Sequence, residues 1–148
     1  MRKNKKKILA VASKGGHLIQ LMRLRPIFEE HITAYVSNYP TLDVEKYYCV
    51  EDANRDSTLK IFVLAAQILK IVIKEKPDVI ITTGAAPGFF AVVFARLMGK
   101  KTVWIDSIAN AEAMSLSGQK ARRWAGLWLT QWSDLARENG PYYKGGVL

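Results

Sequence analysis

The sequence has few of the residues on which several common kinds of protein depend. It holds one cysteine, Cys49, among 148 residues, so no disulfide can form within the chain, which fits a reducing cytoplasm. One cysteine and two histidines do not supply the spacing of a zinc site. The longest apolar stretch, residues 61–73, is interrupted by Gln67 and Lys70 and is shorter than the roughly 20 residues that cross a bilayer. We therefore expect no metal site and no membrane-spanning helix.

Acidic residues are also scarce. Thirteen Asp and Glu stand against 22 Lys and Arg, for a formal net charge of +9, while 49% of residues are apolar. This composition predicts a globular chain with anionic partners: nucleic acid, anionic lipid or phosphorylated substrates. Nucleic-acid binding rests on charge alone, because no helix-turn-helix or RNA-binding aromatic motif is present. We expect one domain over residues 1–148, in which 1–7 form a basic arm.

Short apolar runs alternate with stretches of helical periodicity. Strands are predicted over residues 7–12, 33–37, 79–82, 102–105 and 127–131, with a weaker one over 47–50. Helices are predicted over residues 17–28, 57–75, 87–98 and about 119–125. Continuous apolar strands are typical of a parallel sheet covered on both faces. The alternation therefore predicts an α/β fold with a doubly wound, mostly parallel, Rossmann-like sheet.

The first strand leads into a glycine turn that favours a bound phosphate. The turn reads Ser13-Lys14-Gly15-Gly16-His17. Two glycines let the backbone turn sharply and approach a ligand closely, and the following helix presents N–H groups to an anion. Lys14 adds a positive charge, and His17 is a candidate general base or a donor to a phosphate oxygen. The alternative is a tight turn without a ligand, in which His17 only caps the helix.

Two further loops follow strands at the same predicted edge of the sheet. A second glycine turn, TTGAAPG, occupies residues 82–88, so that two glycine turns could face each other across one crevice. Asp106 ends the strand over 102–105, where it could orient a hydroxyl or act as a base. The alternatives are an ordinary strand-to-helix loop and a loop-capping aspartate. The glycines do not fit the dinucleotide pattern G-x-G-x-x-G, and no Walker A sequence is present.

The helix predicted over residues 57–75 is apolar almost all round. Lys60, Gln67, Lys70 and Lys74 fall on one narrow stripe at 100° per residue. Such a helix is buried deeply in the chain, covered by a partner, or in contact with lipid. The sequence leaves these three readings open.

Five segments in order resemble one family. They are SKGGHLIQL (13–21), TTGAAPGF (82–89), WIDSIANAE (104–112), SLSG (115–118) and WLTQW (128–132). Together they resemble short bacterial polysaccharide-biosynthesis proteins of the PssD and CpsF type. That family is related to the membrane-anchoring subunit of the dolichol-pathway UDP-N-acetylglucosamine transferase. The resemblance covers nearly the whole chain.

The resemblance implies the N-terminal half of a GT-B glycosyltransferase, without cofactor or metal. This half would handle a polyprenyl-diphosphate-linked saccharide and an anionic membrane surface, while a separate catalytic subunit binds the UDP-sugar. His17 and Asp106 are then the candidate catalytic residues. The residues that match the family's two acceptor-phosphate loops are Ser13, Lys14, Gly15, Gly16, Thr83, Gly84 and Ala85.

The implied function is one part of a two-component glycosyltransferase of exopolysaccharide or capsule synthesis, inactive or weakly active without its partner. The eukaryotic N-terminal anchor is missing, so we expect peripheral attachment at the cytoplasmic face of the plasma membrane. Attachment would use the basic arm, an apolar helix face or the partner. The main alternative is a non-catalytic scaffold that recruits and activates a separate enzyme. A stand-alone nucleotide-sugar enzyme would bind UDP by itself, and a single Rossmann-like domain lacks the opposed half that encloses both substrates.

Overall fold

The computed structural model describes residues 4–54 and 56–147. Its strands are β1 (Lys7–Ala12), β2 (Ile32–Ser37), β3 (Tyr47–Cys49), β4 (Val79–Gly84), β5 (Lys101–Ile105), β6 (Leu127–Thr130) and β7 (Tyr142–Tyr143). Its α-helices are α1 (Gly16–Arg23), α2 (Arg25–Phe28), α3 (Thr58–Glu75), α4 (Ala85–Leu97) and α5 (Leu116–Ala121), and a 3-10 helix spans Ser133–Leu135. The seven strands form one sheet in the order β3-β2-β1-β4-β5-β6-β7. Every neighbouring pair is parallel, which confirms the predicted Rossmann-like α/β fold.

Both faces of the central strands are covered. On β1, Leu9 and Val11 belong to a core cluster with residues of α3 and α4, whereas Ile8 and Ala10 pack with α1 and α2 on the opposite face. Alternate residues of a strand point to opposite faces, so a strand buried on both sides is apolar throughout. This explains why β1 reads as an unbroken apolar run.

Two predicted helices are wrong in their bounds for identifiable reasons. The helix over 17–28 is two helices, α1 and α2, separated at Leu24. Pro26 lies in the first turn of α2; it has no N–H to donate, and its ring clashes with the carbonyl four residues earlier. The helix over 119–125 instead ends at Ala121 and begins at Leu116, because the Ser115 hydroxyl accepts the Gly118 N–H and caps its first turn.

The remaining differences lie at element ends. The predicted helix over 87–98 begins at Ala85, directly after β4 ends at Gly84. β7 was not predicted, because two residues in a turn-rich tail give no periodic pattern. In the predicted basic arm, residues 1–3 lie outside the described residues, and Lys7 belongs to β1 rather than to an arm.

Candidate functional site

The two glycine turns meet at the carboxyl edge of the sheet. β1 and β4 are neighbouring parallel strands, so the turns that follow them start side by side. Nδ1 of His17 lies 3.0 Å from the Thr83 carbonyl oxygen. In return, the Thr83 hydroxyl donates to the His17 carbonyl oxygen at 2.5 Å. This reciprocal pair fixes the histidine against the second turn.

The hydrogen bond to Thr83 also fixes the protonation pattern of the His17 ring. A carbonyl oxygen only accepts, so Nδ1 must carry the hydrogen and donate it. In the neutral imidazole, Nε2 is then the nitrogen with a free lone pair. His17 is half-buried and lines a cavity. The geometry therefore suits a general base that accepts a proton at Nε2.

Gly84 allows the histidine to approach this closely. Its backbone has φ +121°, and a Cβ at this position would lie 3.2 Å from Nδ1 of His17. The next residue, Ala85, also has a positive φ, 66°. L side chains rarely adopt these conformations, and such strain clusters at functional sites. The sharp turn from β4 into α4 therefore packs closely against the His17 ring.

The helices that follow the glycine turns lack side-chain caps, unlike two other helices of the described chain. α1 and α4 begin after Gly15 and Gly84, and neither receives a side-chain cap hydrogen bond. By contrast, Ser57 caps α3 and Ser115 caps α5. The first-turn N–H groups of α1 and α4 therefore remain for water or for a ligand, and the helix dipole favours an anion there.

A cavity of about 530 Å³ lies beside these turns. Its polar lining consists of His17, Asn54, Ser115, Ser117 and Lys120, and its apolar lining includes Ile61, Phe89, Phe90 and Leu116. Ala85 and Ala86, from the first turn of α4, form part of its wall. A mostly apolar cavity with a few polar groups is the usual form of a small-molecule site.

A smaller cavity of about 230 Å³ shares Ala53, Ala85 and Ala86 with the first. Lys14 lies at its border, where its Nζ donates to Asp52 at 2.5 Å. The second Asp52 oxygen accepts from the Asn38 side chain at 2.9 Å. The hydrogen bond from Lys14 holds the pKa of Asp52 below its ordinary value. The lysine charge is thus already paired with an ionised carboxylate.

Asp106 occupies a different environment from His17. It is 2% exposed. Its carboxylate accepts hydrogen bonds from the Trp104 indole at 3.0 Å, the Ser115 N–H at 2.8 Å, the Ser115 hydroxyl at 2.6 Å and the Asn110 amide at 3.3 Å. These four hydrogen bonds occupy the acceptor sites that a carboxylate offers. Its bonds hold Ser115, which lines the larger cavity.

The predicted site residues other than Asp106 lie at four places around the two glycine turns. His17 and Ala85 line the larger cavity, and Ser13, Lys14 and Ala85 line the smaller one. Thr83 and Gly84 are buried directly behind the His17 ring, and Gly15 and Gly16 are exposed at the start of α1. Sequence reasoning gave no site role to Asn54, Ser115, Ser117, Lys120 and the α4 phenylalanines. Ser115 and Ser117 lie in the SLSG segment, residues 115–118. A serine that caps a short helix is the sequence feature that could have identified them.

A parallel Rossmann-like sheet covered by helices on both faces is the class of fold found in one half of GT-B proteins. The similar solved structures agree. MurG of Acinetobacter baumannii matches with a TM-score of 0.73 at 12% identity, over 95% of this chain and 45% of that one. UDP-N-acetylglucosamine 2-epimerase of Rickettsia bellii matches with a TM-score of 0.68 at 14% identity, over 88% and 40%. The chain thus spans less than half the length of these structures, and the likeness shows the fold.

The chain belongs to the family of Alg14-like oligosaccharide biosynthesis proteins, whose sequence model matches residues 5–147. Two relatives are UDP-N-acetylglucosamine transferase subunits ALG14. The one from Yarrowia lipolytica is 23% identical over 96% of this chain and 81% of its own length. The one from Cryptococcus neoformans is 25% identical over 91% of this chain and 55% of its own length. The predicted relation to this eukaryotic subunit is confirmed, and the closer PssD and CpsF assignment stays a prediction.

Within residues 4–54 and 56–147, no helix combines the length and the apolar character that crossing a bilayer requires.

Proposed function

We propose that this protein is the acceptor-binding subunit of a two-component glycosyltransferase. Its partner would supply the UDP-sugar, and the acceptor would be a saccharide linked to a polyprenyl diphosphate at the cytoplasmic face of a membrane. Membership of the Alg14-like family supports this role, because two relatives are subunits of a UDP-N-acetylglucosamine transferase. A place in exopolysaccharide or capsule synthesis follows only from the resemblance and forms the most specific part of the proposal.

The observation that carries the proposal is the position of His17, which lies in the first turn of α1 and contacts the turn that leads into α4, while neither helix has a side-chain cap. The α1 and α4 N–H groups would bind the acceptor diphosphate. Ser13, Lys14, Gly15, Gly16, Thr83, Gly84 and Ala85 form the turns that present them. The adjoining cavity of about 530 Å³ would take the saccharide. Its polar lining supplies partners for sugar hydroxyl groups.

The proposed reaction needs one proton transfer from this chain. Nε2 of His17 removes the proton of the acceptor hydroxyl while that oxygen attacks the anomeric carbon of the donor sugar. The bond from the anomeric carbon to UDP breaks, and UDP leaves with the bonding electron pair. General bases of this kind accelerate reactions by about 10² to 10⁴-fold. We propose that Asp106 contributes by holding Ser115 and the start of α5 in the cavity wall.

A reconstitution assay tests this function. Transfer of labelled sugar from a panel of UDP-sugars to a polyprenyl-diphosphate-linked saccharide is measured with this chain alone, the partner alone and both together. The proposal expects activity only in the mixture. Full activity from the partner alone would instead support the scaffold alternative. UDP binding by the isolated chain would support a stand-alone nucleotide-sugar enzyme.

A further inference from the structure

Helix α3 has a second apolar face that the rest of the described chain leaves uncovered. Its inner face, with Leu64, Ile68 and Val72, is buried in the core. Its outer positions include Leu59 at 75% and Phe62 at 68% exposure. Phe62, Ala66, Leu69 and Ile73 are spaced by three or four residues and are all exposed. At 100° per residue they form one stripe along the helix, which we call the outer stripe.

A helix on a protein surface normally turns polar residues to water. Contiguous exposed apolar area of this kind marks a contact with another molecule or with lipid. Leu97 and Met98, at the end of the neighbouring helix α4, are also exposed and apolar. Because α3 packs against α4, these two residues lie on the same face of the sheet as the outer stripe.

The charges on α3 distinguish lipid from a protein partner. Lys60, Lys70 and Lys74 are exposed along one side of the helix, and Lys70 lies next to the outer stripe at 100° per residue. The helix contains one acidic residue, Glu75, which is 4% exposed and accepts a hydrogen bond from Lys46 at 2.8 Å. Lysine is depleted in protein interfaces, whereas lysines beside an apolar stripe extend toward anionic headgroups and are typical of helices that lie on membranes.

The candidate site adjoins the N-terminal end of α3. Ile61, on the same helix, lines the cavity that His17 also lines. Phe89 and Phe90 of α4 complete that wall. The cavity therefore lies beside the first turns of α3, where Leu59 and Phe62 are exposed. A ligand with a charged head and a long apolar tail could place the head beside His17 while the tail stays on the α3 side.

We propose that the outer stripe of α3 lies in the interface of an anionic bilayer. In this orientation the apolar side chains enter the boundary of headgroups and acyl chains, and Lys70, beside the stripe, contacts lipid phosphates. The cavity then faces the headgroup layer, so that a lipid-linked acceptor reaches His17 without leaving the membrane. The identity of that acceptor rests on the proposed function, but the membrane contact does not.

Vesicle sedimentation tests the contact without any glycosyl transfer. The protein is mixed with phosphatidylcholine vesicles that contain or lack phosphatidylglycerol. The double variant Phe62→Ser with Leu69→Ser should lower binding at least about tenfold, because each substitution removes a large apolar group from the interface. The matched control is Ile27→Ser, which replaces a side chain of 54% exposure on the opposite face of the sheet. Lys70→Gln should lower binding only to the anionic vesicles, by about fivefold.

The possible outcomes separate this inference from the proposed function. With the partner present, the double variant should use a short-chain, water-soluble acceptor as the wild type does and lose transfer to a long-chain acceptor in vesicles. Equal vesicle binding by the wild type and the double variant would overturn the inference. Loss of complex formation with the partner in the double variant would assign the stripe to a protein contact and would also overturn it. Absence of transfer by the wild type, with vesicle binding that depends on the stripe, would remove the proposed function and leave the membrane contact standing.

Discussion

The two edges of the sheet carry cavities and charged clusters that differ in kind. The cavity at the amino edge is the larger, at about 660 Å³ against about 530 Å³ for the one lined by His17. It is lined by both signs of charge, including Lys7, Lys46, Glu45 and Glu75. The carboxyl edge instead combines glycine turns with helices that lack side-chain caps. Cavity size therefore favours one edge, whereas the glycine turns and the uncapped helices favour the other.

The charged groups of the amino edge mainly pair with one another. Glu75 accepts hydrogen bonds from Lys46 and from the Tyr48 hydroxyl, and Lys7 lies 3.9 Å away. Burial by itself raises the pKa of Glu75, but the hydrogen bonds from Lys46 and Tyr48 outweigh burial and hold that pKa below its ordinary value of 4.5. We infer that the amino edge ties α3 to β1 and the β3 region, whereas the carboxyl edge leaves donors for a ligand.

The largest expected effect comes from His17→Ala. Loss of the general base should lower transfer by about 10² to 10⁴-fold in the reconstituted pair. The matched control is His31→Ala, which removes a histidine that accepts the Lys6 N–H at the amino edge. Steady-state transfer and complex formation are measured for both variants. Unchanged turnover in His17→Ala with an intact complex would contradict the assignment of the base.

A smaller loss is expected from Gly84→Ala. A Cβ here would contact the His17 ring, and the φ of +121° is unfavourable for alanine. The strain should lower the free energy of unfolding by about 1–3 kcal/mol, and displacement of His17 should lower transfer further. Gly99→Ala is the control, because Gly99 has φ +74° but open space around its Cβ position. Denaturant unfolding should show a loss in both variants, and only Gly84→Ala should affect transfer per folded molecule.

Glu75→Gln tests the amino edge. The neutral side chain keeps the shape but loses the charge that Lys46 and Lys7 contact, at a cost of about 1–3 kcal/mol for hydrogen bonds to a charged group. Because the folded-state pKa of Glu75 is lowered, its stabilisation is full above the unfolded value and is lost as the pH falls through the folded value. The stability difference between wild type and variant should therefore shrink below about pH 4.5. Reduced transfer by the folded variant at neutral pH would show that the two edges are coupled.

The sequence predicts the sheet better than it predicts the site, for a physical reason. β1 and β4 are buried on both faces, so their apolar runs identify them directly. The first predicted helix is too long because the periodicity continues through Leu24, whereas Pro26 interrupts the hydrogen bonds of the preceding turn. The apolar pattern therefore predicts a strand correctly where that strand is buried along its whole length. The end of a helix also depends on residues such as proline, which break the backbone hydrogen bonds without changing the apolar pattern.

The candidate site depends on contacts between distant segments. The approach of His17 to Thr83 follows from the pairing of β1 with β4, which the order of elements in a doubly wound sheet suggests. The orientation of Asp106 does not follow in this way, because its carboxylate turns to the Trp104 indole and to Ser115. Sequence position placed Asp106 at the correct edge of the sheet, but side-chain packing decides which groups it contacts.

The smallest expected effect concerns Asp52, which decides whether the Lys14 charge is available to a ligand. In Asp52→Asn, Asn38 can still donate to the new amide oxygen, while Lys14 loses its ionic partner. If Lys14 contacts the acceptor diphosphate, the KM for the acceptor should fall by less than about fivefold, as is typical of exposed charge pairs. The kcat should stay unchanged, and the effect should disappear at high salt because exposed charges are screened. Lys14→Gln should raise the same KM. A rise of KM in Asp52→Asn would mean that the carboxylate itself binds the acceptor, which would make the Lys14–Asp52 pair a joint recognition element of the carboxyl edge.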